Sequence, residues 1–386
     1  MPYLRLSGFY FFYFALLGAL VPYWSLYLKD FQLSAEEIGF LMALIHVSRI
    51  LAPNLWGWLA DVSGQRLRII RYGAGLTWLI FLGIFWQDSF WGFAWVMLGF
   101  SFFWNAVLPQ CEVLTLQHLG EQREGYSRIR VWGSVGFVLA VLGVGALLDW
   151  LGLRELPWIL LILMALIWLN SLSLPAPAQT KHPAPSLAKG HFLKRLSQPQ
   201  VMIFFLVFFL VQFSHGPYYT FFSVLLQEMG LSASLIGLLW SLGVVAEILL
   251  FIYMPRLMRR FNLRQLMLSS LLLTVLRWSL IAFWPEVWPL LLFAQILHAA
   301  SFGSLHAVGI ALVQRYFCTA TQGRGQALFS SAGFGAGGAA GALLSGWAWD
   351  LWGSLWVFAV AALISLLALL LAYLWIYPEK VPSLDK

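Results

Sequence analysis

Among the side chains that set a titratable group inside long apolar runs, the ones that stand out are His46, Arg49, Glu112, Glu247, Arg277, His298 and His306. An arginine at the centre of a membrane helix costs roughly 2.5–3.5 kcal/mol on insertion scales, so such groups are functional candidates by default. Burial of Glu247 favours its protonated form, whereas a nearby guanidinium favours the ionised form. Separating Glu247 from Arg277 would therefore load a proton and renewed pairing would eject it, with His298 as a relay. The competing reading is a static pair, Glu247–Arg277 or Arg49–Glu247, that only fixes helix packing. Arg49 suits a cargo carboxylate, which a guanidinium matches bidentately, or else an interhelical ion pair. His46, three residues earlier, shares its helical face and is either a second ligand contact or a satisfied core donor. Asn105, Tyr218 and Tyr219 are further candidate contacts for a ligand. Glu112 lies nearer the membrane boundary, where Arg128 and Arg130 are available to neutralise it. His298 and His306, eight residues apart on one face, are too distant to share a metal, and no metal site or cofactor is expected.

The elements that carry these groups are transmembrane helices. The chain has 386 residues, 61% hydrophobic and 10% charged; a soluble protein carries about 25% charged residues. Apolar segments fall at 7–28, 37–59, 69–87, 90–117, 128–149, 156–173, 201–226, 235–254, 265–284, 288–312, 326–348 and 354–376. Each is long enough to cross a bilayer. The first is too long for a signal peptide and is read as a retained span. The expected organisation is an N-terminal half over 1–173, a Pro-rich basic linker over 174–199, and a C-terminal half over 200–386. His215-Gly216-Pro217 in the seventh span and Pro22-Tyr23-Trp24 in the first are expected kinks, where Tyr218 and Tyr219 would close over an apolar ligand.

Charge sets orientation. With Lys29 and Arg154 outside and Arg49 and Arg277 within the membrane, every other Lys and Arg of the 23 falls on the cytoplasmic side, as the positive-inside rule requires. Both termini are then cytoplasmic. The net charge of +7 is spread over many loops and does not point to nucleic acid. Cys111 and Cys318 both fall toward the cytoplasm, where a disulfide is not expected. A shift of 198 residues lays Leu33-Ser34-Ala35 on Leu231-Ser232-Ala233, Arg66 on Arg264, and Arg49 on Glu247. Six spans per half make these repeats parallel, with a ligand site between them.

Gly57-x-Leu59-Ala60-Asp61-x-x-Gly64-x-Arg66 resembles the signature that major facilitator transporters carry between spans two and three. Val62 stands where the family usually has a basic residue. The resemblance implies a polar turn in which Gly57 and Asp61 approach the eleventh helix and hold a cytoplasmic gate. Tyr126-x-x-Ile129-Arg130-Val131-Trp132-Gly133-Ser134-Val135-Gly136-Phe137, Trp240-Ser241-Leu242-Gly243-Val244-Val245-Ala246-Glu247, Arg277-Trp278 and Gln295-Ile296-Leu297-His298 resemble the phenylpropionate permease family. That likeness implies a monomeric, proton-driven importer of small aromatic carboxylates such as 3-phenylpropionate in the bacterial inner membrane. Glu247, Arg277 and His298, on spans eight, nine and ten, are also distributed like the proton-coupling set of lactose permease. There, a second carboxylate lies one turn beyond the histidine; this chain has Ser301.

Gly333-x-Gly335-x-x-Gly338 satisfies a dinucleotide pattern, but no strand precedes it and its glycines suit close helix packing. No Walker sequence or nucleophile elbow appears, so neither an ATP-driven pump nor an enzyme has supporting chemistry. The expectation is an all-α, twelve-span secondary transporter that alternates access by rocking its halves about a central cavity. The alternatives are a sugar or nucleoside permease of the same fold, or a membrane receptor.

Overall fold

The computed structural model describes residues 2–120, 125–176, 189–318 and 321–377. Among these the chain is helical, with no strands. Of the expected linker, residues 177–188 lie outside the described residues, as do Arg123, Lys380 and Lys386.

The first six spans are α1 (Tyr3–Asp30), α2 (Ala35–Ser63), α3 (Arg66–Phe81, extended by a 3-10 turn, Leu82–Trp86), α4 (Phe90–Leu119), α5 (Gly125–Leu151) and α6 (Leu156–Ser173). After a short helix, α7 (Lys189–Leu196), span seven is made of α8 (Pro199–Ser214) and α9 (Gly216–Glu228). Spans eight and nine are α10 (Ala233–Arg260) and α11 (Leu263–Phe283). Span ten joins α12 (Trp288–Ile296) to α13 (Leu305–Tyr316) through a π-helical segment, Ala299–Ser304. The rest runs as α14 (Gln322–Phe329), a second π-helical segment (Ser330–Gly337) and α15 (Gly338–Trp375). Among the described residues, eleven stretches are long and apolar enough to cross a membrane, the last of them 54 residues. At 1.5 Å per residue that stretch is about 80 Å long, far more than one bilayer. Gly353 interrupts it with φ 76°, a left-handed turn that glycine tolerates, and so makes two crossings of it. Twelve traverses result.

Local sequence explains the helix ends. Ser34 and Glu37 form a reciprocal capping box at the start of α2, as do Asn262 and Gln265 at the start of α11, each satisfying two orphan backbone donors. One expectation needs correction. The stretch from Gly57 is not a turn: α2 stays helical to Ser63 and ends only at Gly64, φ 65°, because Trp58, Leu59 and Ala60 continue the helix and glycine is the first residue suited to a left-handed C-cap. α1 runs through Pro22 as one helix. The break expected at His215-Gly216-Pro217 is present between α8 and α9.

The contacts divide the chain into two compact units, residues 1–182 with 219–241, and 183–218 with 242–386. In the first unit α1 packs on α5 and α6, and α4 on α2 and α3. Gly136 faces the Phe11 carbonyl, and a Cβ at Gly18 would come 2.6 Å from the Phe137 carbonyl oxygen. In the second unit α8 and α11 each pack on α15. There a Cβ at Gly337 would lie 2.5 Å from the Phe209 carbonyl oxygen, and Gly216 abuts Gly341. Phe11 and Gly18 map onto Phe209 and Gly216 under the 198-residue shift. The repeat is thus visible in which backbones touch.

Within the first unit the start of α10 is tied to α1 and α5. Tyr23 donates to the Val141 carbonyl at 2.6 Å and the Ala233 carbonyl at 3.3 Å. Asp149 accepts from the Ala233 and Ser234 amides at 2.7 and 3.0 Å, satisfying donors at the N-terminus of α10. Lys29 pairs with Glu228 at 2.6 Å.

Substituting Val for Gly136 or Gly337 should lower stability by about 1–3 kcal/mol, since a close-packed backbone must separate. Gly143→Val, where a Cβ would meet nothing within 4 Å, should be near neutral. Thermal unfolding of the purified variants in detergent measures the difference.

Candidate functional site

Two polar clusters lie inside the apolar body, one in each unit. In the second unit α11 presents Arg277, whose side chain has no exposed surface. Its Nε donates to the Ala294 carbonyl at 3.1 Å and its Nη1 to Ser301 Oγ at 2.9 Å. The guanidinium also lies 4.2 Å from the ring centroid of Tyr218 and 4.4 Å from that of Trp278, cation–π distances that help replace lost hydration. Tyr218 in turn donates to Gln295 Oε1 at 2.9 Å. Ser301 thus serves as a neutral acceptor for Arg277.

Glu247, on α10, brings Oε2 to 3.3 Å from His298 Nε2. Gly303 makes the room: a Cβ there would lie 2.9 Å from Glu247 Cγ. The His298 ring is stacked between Tyr218 (5.8 Å, 28°) and Phe302 (5.4 Å, 11°), and Phe302 continues to His306 (6.2 Å, 6°). Four rings thus form one column. Its middle lies in the π-helical turn Ala299–Ser304, a departure from α-geometry frequent at functional sites. Either an imidazolium–carboxylate or an imidazole–carboxylic acid fits the Glu247–His298 contact, so one proton can sit on either side. Gln295 Nε2 and His298 Nδ1 are buried with no hydrogen-bond partner among the described residues.

In the first unit α2 carries Arg49 and His46 on one half-buried face. Among the described residues Arg49 has no hydrogen-bond or ion-pair partner; the phenols of Tyr13 and Tyr219 lie within its electrostatic reach. Tyr13 stacks on Trp104 at 5.3 Å, and Tyr219 lies 6.1 Å from the Trp240 ring. Below Arg49, Asn105 donates from Nδ2 to the Ile45 carbonyl (3.1 Å) and to Ser48 Oγ (2.8 Å). Both amide hydrogens of Asn105 thus clasp α4 to α2, which leaves only Oδ1 for any ligand. The consecutive residues Tyr218 and Tyr219 belong to different clusters, one beside Arg277 and the other beside Trp240.

Glu112 accepts from Tyr126 at 3.3 Å. Of its two candidate cations, Arg130 is the one that acts on it electrostatically, with its guanidinium 3.8 Å from the Phe14 ring centroid. In the signature segment Asp61 pairs with Arg66 at 2.5 Å. Arg66 also donates to Gln110 Oε1, and Gln110 Nε2 faces Gly57 at 3.6 Å from an ideal Cβ. Gly64 supplies the left-handed turn that lets Arg66 fold back. Gln110, Gln295 and Tyr13 are the participants that sequence reasoning passed over. The two glutamines had a signal, as lone uncharged amides inside apolar runs.

The MFS_1 like family matches residues 3–360. The probable 3-phenylpropionic acid transporter of Escherichia coli is 31% identical over 97% of this chain and 97% of its own. The maltose permease of Geobacillus stearothermophilus is 27% identical over 94% of this chain and 92% of its own. Among solved structures, the nucleoside transporter NupG superposes with a TM-score of 0.85 at 18% identity, over 98% of this chain and 100% of that one. With twelve membrane traverses, an internal repeat in backbone contacts and these relatives, the chain belongs to the MFS_1 like family and is a multi-pass membrane transporter, not an enzyme.

Proposed function

We propose that the protein takes up a small aromatic carboxylate, such as 3-phenylpropionate, together with a proton by alternating access. The observation that carries this reading is Arg49. A half-buried guanidinium with no anion or hydrogen-bond acceptor among the described residues, near the phenols of Tyr13 and Tyr219, suits an aromatic acid at both ends of that ligand. The carboxylate would take the bidentate donors, and the ring would pack against Tyr13, Tyr219 and neighbours. The name of the Escherichia coli relative supports the same cargo class. The Glu247–His298 contact supports the coupling step, with Arg277 as the fixed cation whose field the pair works against. Asp61, Arg66, Gly57 and Gly64 would act in a cytoplasmic gate. The positive-inside pattern supports both termini lying in the cytoplasm; the reading takes the protein as an inner-membrane monomer of two six-helix halves joined by the linker.

A neutral cargo is the rival reading, favoured by the maltose permease and nucleoside transporter likenesses. The two readings part at Arg49. In proteoliposomes, Arg49→Gln should weaken exchange of labelled 3-phenylpropionate about 10- to 100-fold, the equivalent of one charge-assisted contact. Arg49→Lys should retain part of it. Unchanged exchange in Arg49→Gln would favour the neutral cargo.

Coupling is tested separately. An inward-directed proton gradient should drive accumulation in the native protein. Glu247→Gln should abolish that accumulation while leaving counterflow, which needs no net proton movement. Accumulation by Glu247→Gln equal to the native protein's would remove Glu247 from the proton path.

A further inference from the structure

Two basic helix ends occupy equivalent places in the repeat and are built in opposite ways. At the turn from α2 to α3 the arginines are committed to the protein. Arg66 pairs with Asp61. Arg68 donates to Gln65 at 2.8 Å. Arg71 donates to the Ser171, Leu172 and Leu174 carbonyls at 3.3, 3.0 and 3.0 Å. At the turn from α10 to α11, the 198-residue shift places Arg259 where Asp61 stands. The carboxylate of the first copy has become a third cation beside Arg256 and Arg260.

Arg256, Arg259 and Arg260 are all exposed, and their i, i+3, i+4 spacing puts them on one helical face. None has a hydrogen-bond or ion-pair partner among the described residues, and the sequence has no Asp or Glu between Glu247 and Glu286. Arg264, which could have shared an anion with them, is turned to the Tyr373 carbonyl at 2.7 Å. The C-terminal dipole of α10 favours cations in its last turn, yet like charges at these spacings repel. One turn inward the same helix exposes Phe251, Ile252 and Tyr253. The Arg256 guanidinium lies 5.6 Å from the Tyr253 ring, and that of Arg260 5.6 Å from Phe261. Exposed apolar surface, then aromatics, then unneutralised arginines is the order met on passing from acyl chains to headgroups.

We infer that the end of α10 is a binding site for an anionic glycerophospholipid, with Arg256, Arg259 and Arg260 closing on its phosphate and the Ile252–Tyr253 surface lying along its acyl chains. Basic residues at a membrane surface each contribute about fivefold to anionic-lipid binding, so two arginines account for on the order of 25-fold and three for on the order of 100-fold.

The test is lipid retention by the full-length protein, read by native mass spectrometry after purification from bilayers holding equal phosphatidylglycerol and phosphatidylcholine. The native protein should keep phosphatidylglycerol preferentially. Arg256→Gln/Arg259→Gln should lose that preference about 25-fold. Arg5→Gln/Arg68→Gln, which removes two positive charges already committed within the first unit, should keep it. Equal loss in the two double variants would overturn the inference in favour of a diffuse basic surface. So would no preference in the native protein, or displacement of the lipid by millimolar inorganic phosphate. The single variants Arg256→Gln, Arg259→Gln and Arg260→Gln, checked for unchanged thermal unfolding, keep the test valid should a double variant fold poorly.

Discussion

A guanidinium with no exposed surface, set in a stretch (268–280) otherwise made of Leu, Ser, Thr, Val and Trp, constrains everything around it. Arg277 cannot shed its charge, so the helices about it must supply acceptors and polarisable faces in place of water. Those partners include a backbone carbonyl at Ala294, a hydroxyl at Ser301, and the rings of Tyr218 and Trp278. Placing those partners requires span seven to break at His215-Gly216 and span ten to leave α-geometry after His298. Both irregularities are present, and both lie beside the cluster. The cation thus accounts for backbone features that would otherwise weaken two membrane helices.

The same rule, that a charge near the apolar slab must be met by the protein or by its surroundings, orders the helix ends. Arg5 and Arg71 donate to carbonyls at the end of α6, and Arg264 to one at the end of α15. These arginines obey the positive-inside pattern and also satisfy C-terminal carbonyls that a helix leaves open. Topology and capping are then two uses of one set of residues. At the end of α10, where no acceptor meets Arg256, Arg259 or Arg260 among the described residues, the inferred lipid phosphate takes that place.

The helical body was legible because its signal is redundant. Twenty apolar residues in a row have few alternatives, and glycine at backbone crossings recurs in both copies. The candidate site was legible only as a set of costly residues. Depth along a helix follows from counting, so Arg277, Glu247 and His298 could be put near one level. Rotation about the helix axis and the partner across the gap depend on irregular turns that periodicity does not encode. Asn105 shows the limit. Its sequence reads as a polar lining residue, but Ser48 and the Ile45 carbonyl take both its donors. The signature segment shows another. Its polar residues read as a turn, yet helix propensity carries α2 on to the first residue suited to a left-handed cap.

Arg49 and Arg277 can now be set against each other. Both are membrane-embedded arginines, but one is fully buried beside two acceptors and two aromatic faces, while the other is half-buried and has no anion or acceptor among the described residues. A cation whose only role is to hold helices together gains most when its donors are met, as Nε and Nη1 of Arg277 are by Ala294 and Ser301. A cation that must bind and release an anion in every cycle works under the opposite requirement. Any strong internal partner would compete with the ligand by its full interaction free energy. The clasp of Asn105, Ser48 and Ser101 positions the helix beneath Arg49 through neutral bonds alone. That arrangement anchors the backbone that carries Arg49 without satisfying its guanidinium, as the proposed anionic cargo would require.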